Sequence, residues 1–205
     1  KLGRNFKPDD FKIKSNSAGS VKVNVIYAIP NSLLTKRMVM QVQAQESEIK
    51  ADPKNDLAKI AVIERHRATG NYAIGLVKGL GIKRGALAST VGHDSHNLMV
   101  VGVDDKAMAD AVNHLAKTGG GMIALNKDTR VFHSLEVAGL MSTKSAKQVA
   151  RSYQKVKAKA KVLGSPLDNL FMTLSFLALP VIPELKITNQ GLVDVSQFKF
   201  ISLIE

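Results

Sequence analysis

Short apolar runs bounded by polar residues or turns constrain the fold of this chain more than any other feature. Such runs are too short for helices and are typical of buried strands. They occupy residues 60–63, 72–77, 86–91, 98–103 and 122–125. Because strands and helices do not alternate strictly along the chain, the pattern predicts an α+β fold, with a mixed or antiparallel sheet flanked by helices.

The first 50 residues are β-rich. Valines alternate with polar residues over 21–25, and a second alternation covers 38–44, so two half-buried strands are predicted. Two strands alone are marginally stable and expose their edges. We therefore expect residues 1–50 to complete a sandwich domain of a longer protein that continues upstream of Lys1, and residues 51–205 to form an α+β domain.

Three helices are predicted in the second part. Asp104 is a suitable N-cap for the first helix, and the glycines at 119–121 end it. The second helix covers about 145–163 and stops at Gly164, and a nearly all-apolar third helix covers 169–179. The apolar stretch around the third helix is shorter than the roughly 20 residues that a membrane span needs, so we expect a buried helix and no membrane partner.

The second helix combines an apolar stripe with a strongly basic face. The predicted stripe is Ala146, Val149, Ala150, Tyr153, Val156, Ala160 and Leu163. The predicted basic face is Lys144, Lys147, Arg151, Lys155, Lys157, Lys159 and Lys161. The chain carries a formal net charge of +12, which suits a nucleic-acid surface or a solvated lysine-rich face. With 5% aromatic residues and no tryptophan, bases would have few stacking partners, so we expect a solvated face and no nucleic-acid partner.

The densest polar cluster is His93, Asp94, Ser95, His96 and Asn97, between two predicted strands. Neighbouring residues of a strand point to opposite faces, so this cluster is a poor catalytic triad. Two histidines three positions apart provide at most two metal ligands, and without cysteine no thiolate site can form. The cluster is therefore either a hydrogen-bonded turn or a loop that presents imidazole, carboxylate and amide groups to a polar ligand.

A second candidate is Glu64, Arg65 and His66, at the end of the strand predicted over 60–63. Together with residues 69–71 these side chains indicate either a strand-end salt bridge and turn, or a second ligand-binding group. The glycines over 79–85 match neither a dinucleotide nor a Walker phosphate loop and indicate a turn. His114 and His133 have no obvious partners, so we expect both to be structural or solvated.

Five blocks of sequence occur in a distinctive order, at residues 60–66, 78–86, 93–97, 138–142 and 172–183. In this order they closely resemble the C-terminal region of bacterial and archaeal adenine deaminases. The resemblance extends over nearly the whole chain. It implies a part in the hydrolytic deamination of adenine to hypoxanthine and ammonia in purine salvage.

The same resemblance implies an upstream amidohydrolase barrel that binds manganese, iron or zinc and activates water. The family's metal ligands include a His-x-His pair, and the histidines here form none. We therefore expect the metal to be bound by residues outside this chain, and this chain alone to be inactive.

The resemblance further implies that this part packs on the barrel and helps to close the active site in a cytoplasmic, homo-oligomeric enzyme. The suspected active-site loop is His93, Asp94, Ser95, His96 and Asn97, and the suspected substrate-binding residues are Glu64 and His66. Two alternatives stay open from the residues alone: a non-catalytic module that binds a purine or nucleotide, and a basic nucleic-acid-binding protein.

Overall fold

The computed structural model describes residues 2–16 and 18–205 as a large sheet, a small sheet and three α-helices. The large sheet contains β1 (Ile13–Lys14), β2 (Gly19–Ala28), β3 (Thr35–Gln45), β4 (Glu48–Ile49), β5 (Leu57–Ile63), β6 (Tyr72–Lys78), β7 (Ala86–Ser89), β8 (Leu98–Gly102), β9 (Gly121–Leu125) and β10 (Arg130–Ser134). The small sheet contains β11 (Leu185–Thr188), β12 (Gly191–Asp194) and β13 (Lys199–Ile201). The helices are α1 (Asp105–Thr118), α2 (Ala146–Val162) and α3 (Leu170–Leu177).

The strands of the large sheet lie in the order β1-β4-β3-β2-β6-β5-β8-β7-β9-β10. All neighbouring strands are antiparallel except β2 and β6, which pair in parallel. Hairpin-like connections suit antiparallel pairs, whereas the parallel pair joins two strands that are distant in sequence. The predicted α+β class with a mixed sheet is confirmed.

Strand β5 is buried along its whole length because both faces of the sheet are covered at this point. Ile60 and Val62 lie in an apolar cluster with residues of α2, α3 and the small sheet. Ala61 and Ile63 lie on the opposite face, in a cluster with residues of α1. Since successive side chains of a strand point to opposite faces, a strand covered on both sides has a continuous apolar sequence.

The strands before residue 50 belong to the same sheet as those after it. Val25 of β2 pairs with Leu76 of β6, and β3 and β4 continue the sheet outwards from β2. These strands therefore have partners within the described chain. The division of the chain at residue 50 and the completion of a sandwich domain stay predictions.

The small sheet packs directly on β6. Gly75 leaves room for it, because a Cβ at this position would lie 3.2 Å from Leu192 Cδ2 and 3.3 Å from Ile187 Cδ1. Ile187 and Leu192 are both buried in the cluster that includes β5. This packing places the turn between β11 and β12 near the end of β5.

The capping signals of α1 are confirmed. The Asp104 carboxylate accepts a hydrogen bond of 2.8 Å from the N–H of Ala107, and Gly119 ends the helix with φ of 82°. Helix α3 is slightly shorter than predicted and is buried on several sides. Over the described residues, no helix combines the length and the apolar character that a membrane crossing requires.

The predicted faces of α2 need a correction. Lys159 was assigned to the solvated face, but it is buried, and its ammonium donates to Asn126 Oδ1 at 3.0 Å and to the Thr129 hydroxyl. Ala146 and Ala150 were assigned to the buried stripe, but both are exposed. The first half of the helix therefore extends beyond the core, and only its second half is covered.

A second buried lysine connects the outer strands to α1. The Lys59 ammonium lies 2.9 Å from each carboxylate oxygen of Asp105 and 3.3 Å from Glu48 Oε1. The Lys59 side chain is 2% exposed, so its charge is removed from water and relies on these two carboxylates.

We expect Lys59→Met to lower the free energy of unfolding by about 3–5 kcal/mol, because it leaves two carboxylates without their buried counter-ion. Urea unfolding followed by circular dichroism would measure the change. Lys106→Met is the matched control, because Lys106 makes an exposed ion pair with Asp110 and should contribute little. Equal effects of the two substitutions would contradict the assignment of Lys59 as a structural ion.

Candidate functional site

The two predicted polar segments lie side by side because of the register between β5 and β8. The strands are antiparallel, and Ile63 pairs with Leu98. Glu64 directly follows the first of these residues and Asn97 directly precedes the second. Residues 64–66 and the loop of residues 93–97, called the 93–97 loop below, therefore leave the sheet at the same edge.

The Glu64 carboxylate organises the turn after β5. One oxygen accepts hydrogen bonds from the N–H groups of His66 and Arg67, the latter at 2.6 Å. The other accepts from the N–H of Thr69 at 3.0 Å and from its hydroxyl at 2.9 Å. Burial raises the pKa of Glu64, but the hydrogen bonds from Thr69, Arg67 and His66 together outweigh it and lower the pKa to about 2. Glu64 is therefore an anion at neutral pH, and its role in substrate binding stays a prediction.

Arg65 connects three loops through main-chain carbonyl groups. Its Nε donates to the carbonyl oxygen of His96 at 2.5 Å, and its Nη2 donates to that of Ala138 at 2.9 Å. Burial lowers the pKa of the Arg65 guanidinium, which nevertheless stays charged at neutral pH. The planar guanidinium group holds the 93–97 loop and the turn around Ala138 at fixed separation.

His66 makes a second connection to the 93–97 loop. Its Nε2 lies 2.5 Å from the carbonyl oxygen of Ser95. A carbonyl group only accepts hydrogen bonds, so the Nε2 of His66 carries a proton in this arrangement. Two successive carbonyl groups of the loop are thus held by two successive side chains after β5.

His96 occupies a left-handed backbone conformation, with φ of 51°. Its N–H donates to the Gly92 carbonyl oxygen at 2.6 Å, and the Gly92 N–H donates to His96 Nδ1 at 3.4 Å. Burial lowers the pKa of His96, and the nearby His93 and Arg65 lower it further. At neutral pH the ring is therefore mainly neutral, with its proton on Nε2.

His93 and Asn97 attach the two ends of the loop to other elements. The His93 N–H donates to the Ser175 carbonyl oxygen of α3 at 3.1 Å, and its ring centroid lies 4.7 Å from that of Phe176. The Asn97 side chain is buried, and its Nδ2 donates to Asn189 Oδ1 at 3.2 Å. In the described part of the chain, Asn97 Oδ1 has no hydrogen-bond partner. The loop is thus connected to α3 and to the β11–β12 turn.

The outer side of the 93–97 loop borders a cleft of about 430 Å³. Asp94 and Ser95, the most exposed residues of the loop, line one side. Residues after α3 and from the small sheet line the rest, and they are Ala178, Pro180, Thr188, Asn189, Gln190, Val193, Phe198 and Phe200. The loop therefore offers polar groups along the rim of a mainly apolar cleft.

The arrangement suits binding and proton transfer rather than metal coordination. Over residues 2–16 and 18–205, no group of three or more histidine, aspartate or glutamate side chains is placed to hold a metal ion. The side chains of the loop do not form a nucleophile–base–carboxylate chain either, since His96 Nδ1 accepts from a main-chain N–H. The residues present here therefore do not fit the metal that the resemblance implies.

The sequence interpretation missed Thr90 and Gly139 as parts of this site. The Thr90 hydroxyl donates to the Gly139 carbonyl oxygen at 2.6 Å and accepts from the Gly121 N–H at 2.8 Å. Gly139 has φ of 71°, and a Cβ there would lie 3.0 Å from Thr90 Oγ1 and 3.1 Å from Arg65 Nη1. Residues 138–142 form one of the five blocks that resemble the family, so the sequence did draw attention to Gly139. Nothing near it in the sequence indicated that this turn contacts Arg65.

The remaining two histidines lie outside this site and have partners. His133 is buried, and its Nδ1 lies 2.6 Å from the Ser152 hydroxyl of α2. His114 Nδ1 lies 3.1 Å from Arg130 Nη1, and its ring packs edge-on against Phe132. Both contacts join secondary-structure elements, which agrees with the structural role predicted for them.

Fold and site together define an α+β domain that presents a firmly held polar loop at one edge of its sheet. Residues 32–199 match the family model described as the adenine deaminase C-terminal domain. The chain belongs to this family.

Similar proteins agree with this assignment. The chain is 50% identical over 198 residues to the adenine deaminase of Desulfatibacillum aliphaticivorans, covering 96% of this chain and 34% of that relative. It is 48% identical over 181 residues to the adenine deaminase of Methanothrix thermoacetophila, covering 88% and 32%. It is 40% identical to one from Clostridium botulinum, covering 96% and 33%. The chain thus spans about a third of the length of the curated relatives it matches.

We expect Glu64→Gln to lower the free energy of unfolding at pH 7 by about 1–3 kcal/mol, because an amide nitrogen cannot accept the hydrogen bonds that a carboxylate oxygen accepts. The folded-state pKa of Glu64 is lowered from 4.5 to about 2. Its stabilising effect is therefore fully present above pH 4.5 and is lost as the pH falls towards 2.

Urea unfolding of the wild type and the variant at several pH values would test this prediction. The difference between the two proteins should shrink between pH 4.5 and pH 2. Glu46→Gln is the control, since Glu46 is exposed and should show no comparable difference. A difference for Glu64→Gln that does not vary with pH would refute the role of its charge.

Proposed function

We propose that the complete polypeptide to which this domain belongs deaminates adenine hydrolytically to hypoxanthine and ammonia, in purine salvage. The support is the family membership together with the relatives, which are adenine deaminases. In this proposal the domain packs on an upstream metal-bearing barrel and helps to close its active site. The cytoplasmic location and the homo-oligomeric state are predictions from the resemblance alone.

The metal, which we propose to be manganese, iron or zinc, would be held by residues outside this chain. It would supply an activated water molecule when bound. The residues of this domain contribute in other ways, by orienting the substrate, excluding water and moving protons.

One observation carries the proposed role of the 93–97 loop. Arg65 and His66 bind the carbonyl groups of His96 and Ser95, so the main chain of the loop is held while the Asp94 and Ser95 side chains face outwards. Two successive side chains, the half-buried Arg65 and the exposed His66, thus hold the main chain of the loop at two successive carbonyl groups. Groups fixed in this way are preorganised, which lowers the cost of binding a ligand.

The chemistry of the loop suits adenine. A purine offers ring nitrogens as acceptors and an exocyclic amino group as donor. The neutral His96 ring carries its proton on Nε2 and can donate to a ring nitrogen, and the Asp94 carboxylate can accept from the amino group. The His96 ring, whose pKa burial lowers, can also exchange protons with departing ammonia.

We expect His96→Ala and Asp94→Ala in the complete enzyme to lower kcat/KM for adenine by about 10-fold to 1,000-fold. The reason is that each removes a group that meets the substrate as the active site closes. Metal content and thermal unfolding should stay close to those of the wild type. Asp128→Ala is a suitable control, because Asp128 is an exposed carboxylate in the β9–β10 turn, at the opposite end of these strands from the loop. Normal kinetics for both variants, or failure only through unfolding, would show that the loop is purely structural.

A further inference from the structure

The cleft beside the 93–97 loop continues into an unusually exposed apolar surface. We call Ala178, Pro180, Val193, Phe198 and Phe200 the aromatic patch; all five line this cleft. The exposed fraction is 80% for Phe198 and 57% for Phe200. Ala178 and Val193 are buried, at 4% and 9% exposed, so the exposed part of the patch consists mainly of the two phenylalanine rings. Single exposed apolar residues are common, whereas two neighbouring exposed phenylalanines beside an apolar cleft are typical of an interaction surface.

The charge distribution supports the same conclusion. The chain has a net charge of +12, yet Asp94 is the only charged residue among the described residues that line the cleft. Interface centres are depleted in charged residues, lysine above all, and enriched in aromatic ones. Lys199 stands between Phe198 and Phe200 in the sequence and is exposed, but no lysine lines the cleft itself, so the cleft is suited to burial.

Phe198 is held in place although its ring is exposed. It lies in the turn between β12 and β13, where its N–H donates to the Val195 carbonyl oxygen at 3.4 Å and the Gln197 N–H donates to Asp194. Its φ is 48°, a left-handed conformation that is rare and costly for a bulky residue. The turn therefore keeps Phe198 in a rare backbone conformation while its ring is exposed.

We infer that the aromatic patch docks onto the rest of the same polypeptide, the roughly two-thirds of the relatives' length that this chain does not cover. This inference rests on the proposed function, and it specifies which surface meets the catalytic part. Asp94 and Ser95 belong both to the candidate site and to the rim of this cleft. A partner that covers the patch therefore also comes next to the loop.

Two other occupants fit the observations less well. A small purine would need walls that enclose most of its surface, whereas the Phe198 ring is largely open to solvent. A second copy of the domain would cover the patch, but nothing would then connect that contact with the position of the loop. Both remain distinguishable outcomes of the experiment.

The chain contains no cysteine, so one thiol can be introduced into the domain as a probe. In the complete polypeptide, we expect the thiol of Phe198→Cys to react with a maleimide about 10-fold or more slowly than that of Val162→Cys. Val162 is 55% exposed at the end of α2 and does not line the cleft. Rates are normalised to those of the same variants in denaturant and are read by mass spectrometry of the modified peptide.

Three results would overturn the inference. These are equal normalised rates for the two thiols, protection of Phe198→Cys that disappears when oligomers are diluted to single chains, and protection that arises only when adenine is added. The readout does not depend on activity. Slow reaction at position 198 with normal kinetics for His96→Ala would support docking and refute the role of the loop. Equal reaction rates at positions 198 and 162 with a lowered kcat/KM for His96→Ala would refute docking alone.

Discussion

The antiparallel pairing of β5 with β8 is the constraint on which both the core and the candidate site depend. Strand β5 is buried along its whole length, so a shift of its register would disrupt close packing on both faces and move Lys59 away from Asp105. That register sets Ile63 opposite Leu98 and brings the polar residues that follow one strand next to those that precede the other. The stability of the sheet thus determines the geometry of the loop.

The polar side chains at this edge divide into those that hold the loop and those that the loop presents. Glu64 fixes its own turn, and Arg65 and His66 bind carbonyl groups of the loop. Asp94 and Ser95 are left at the rim of the cleft. A buried polar group is costly unless it is paired, so the buried Glu64 has to be satisfied within the domain, whereas the rim residues can meet water or a ligand.

The sequence predicted those features that depend on local signals. The buried strands, the Asp104 cap and the glycine that ends α1 follow from short-range pattern and could be located in advance. The faces of α2 could not, because Lys159 is buried by partners some 30 residues earlier in the chain. The contact of Arg65 with Ala138 was hidden for the same reason, since it spans 73 positions and joins loops whose proximity only the sheet order creates.

The loop and the aromatic patch form one mechanical unit. Asn97 at the inner end of the loop donates to Asn189 in the β11–β12 turn, and the small sheet that carries this turn also carries Phe200. The small sheet packs closely on β6, since a Cβ at Gly75 would lie 3.2 Å from Leu192 Cδ2. Closely packed elements move together rather than independently. The proposed docking on the patch would therefore act on the loop through the hydrogen bond between Asn97 and Asn189.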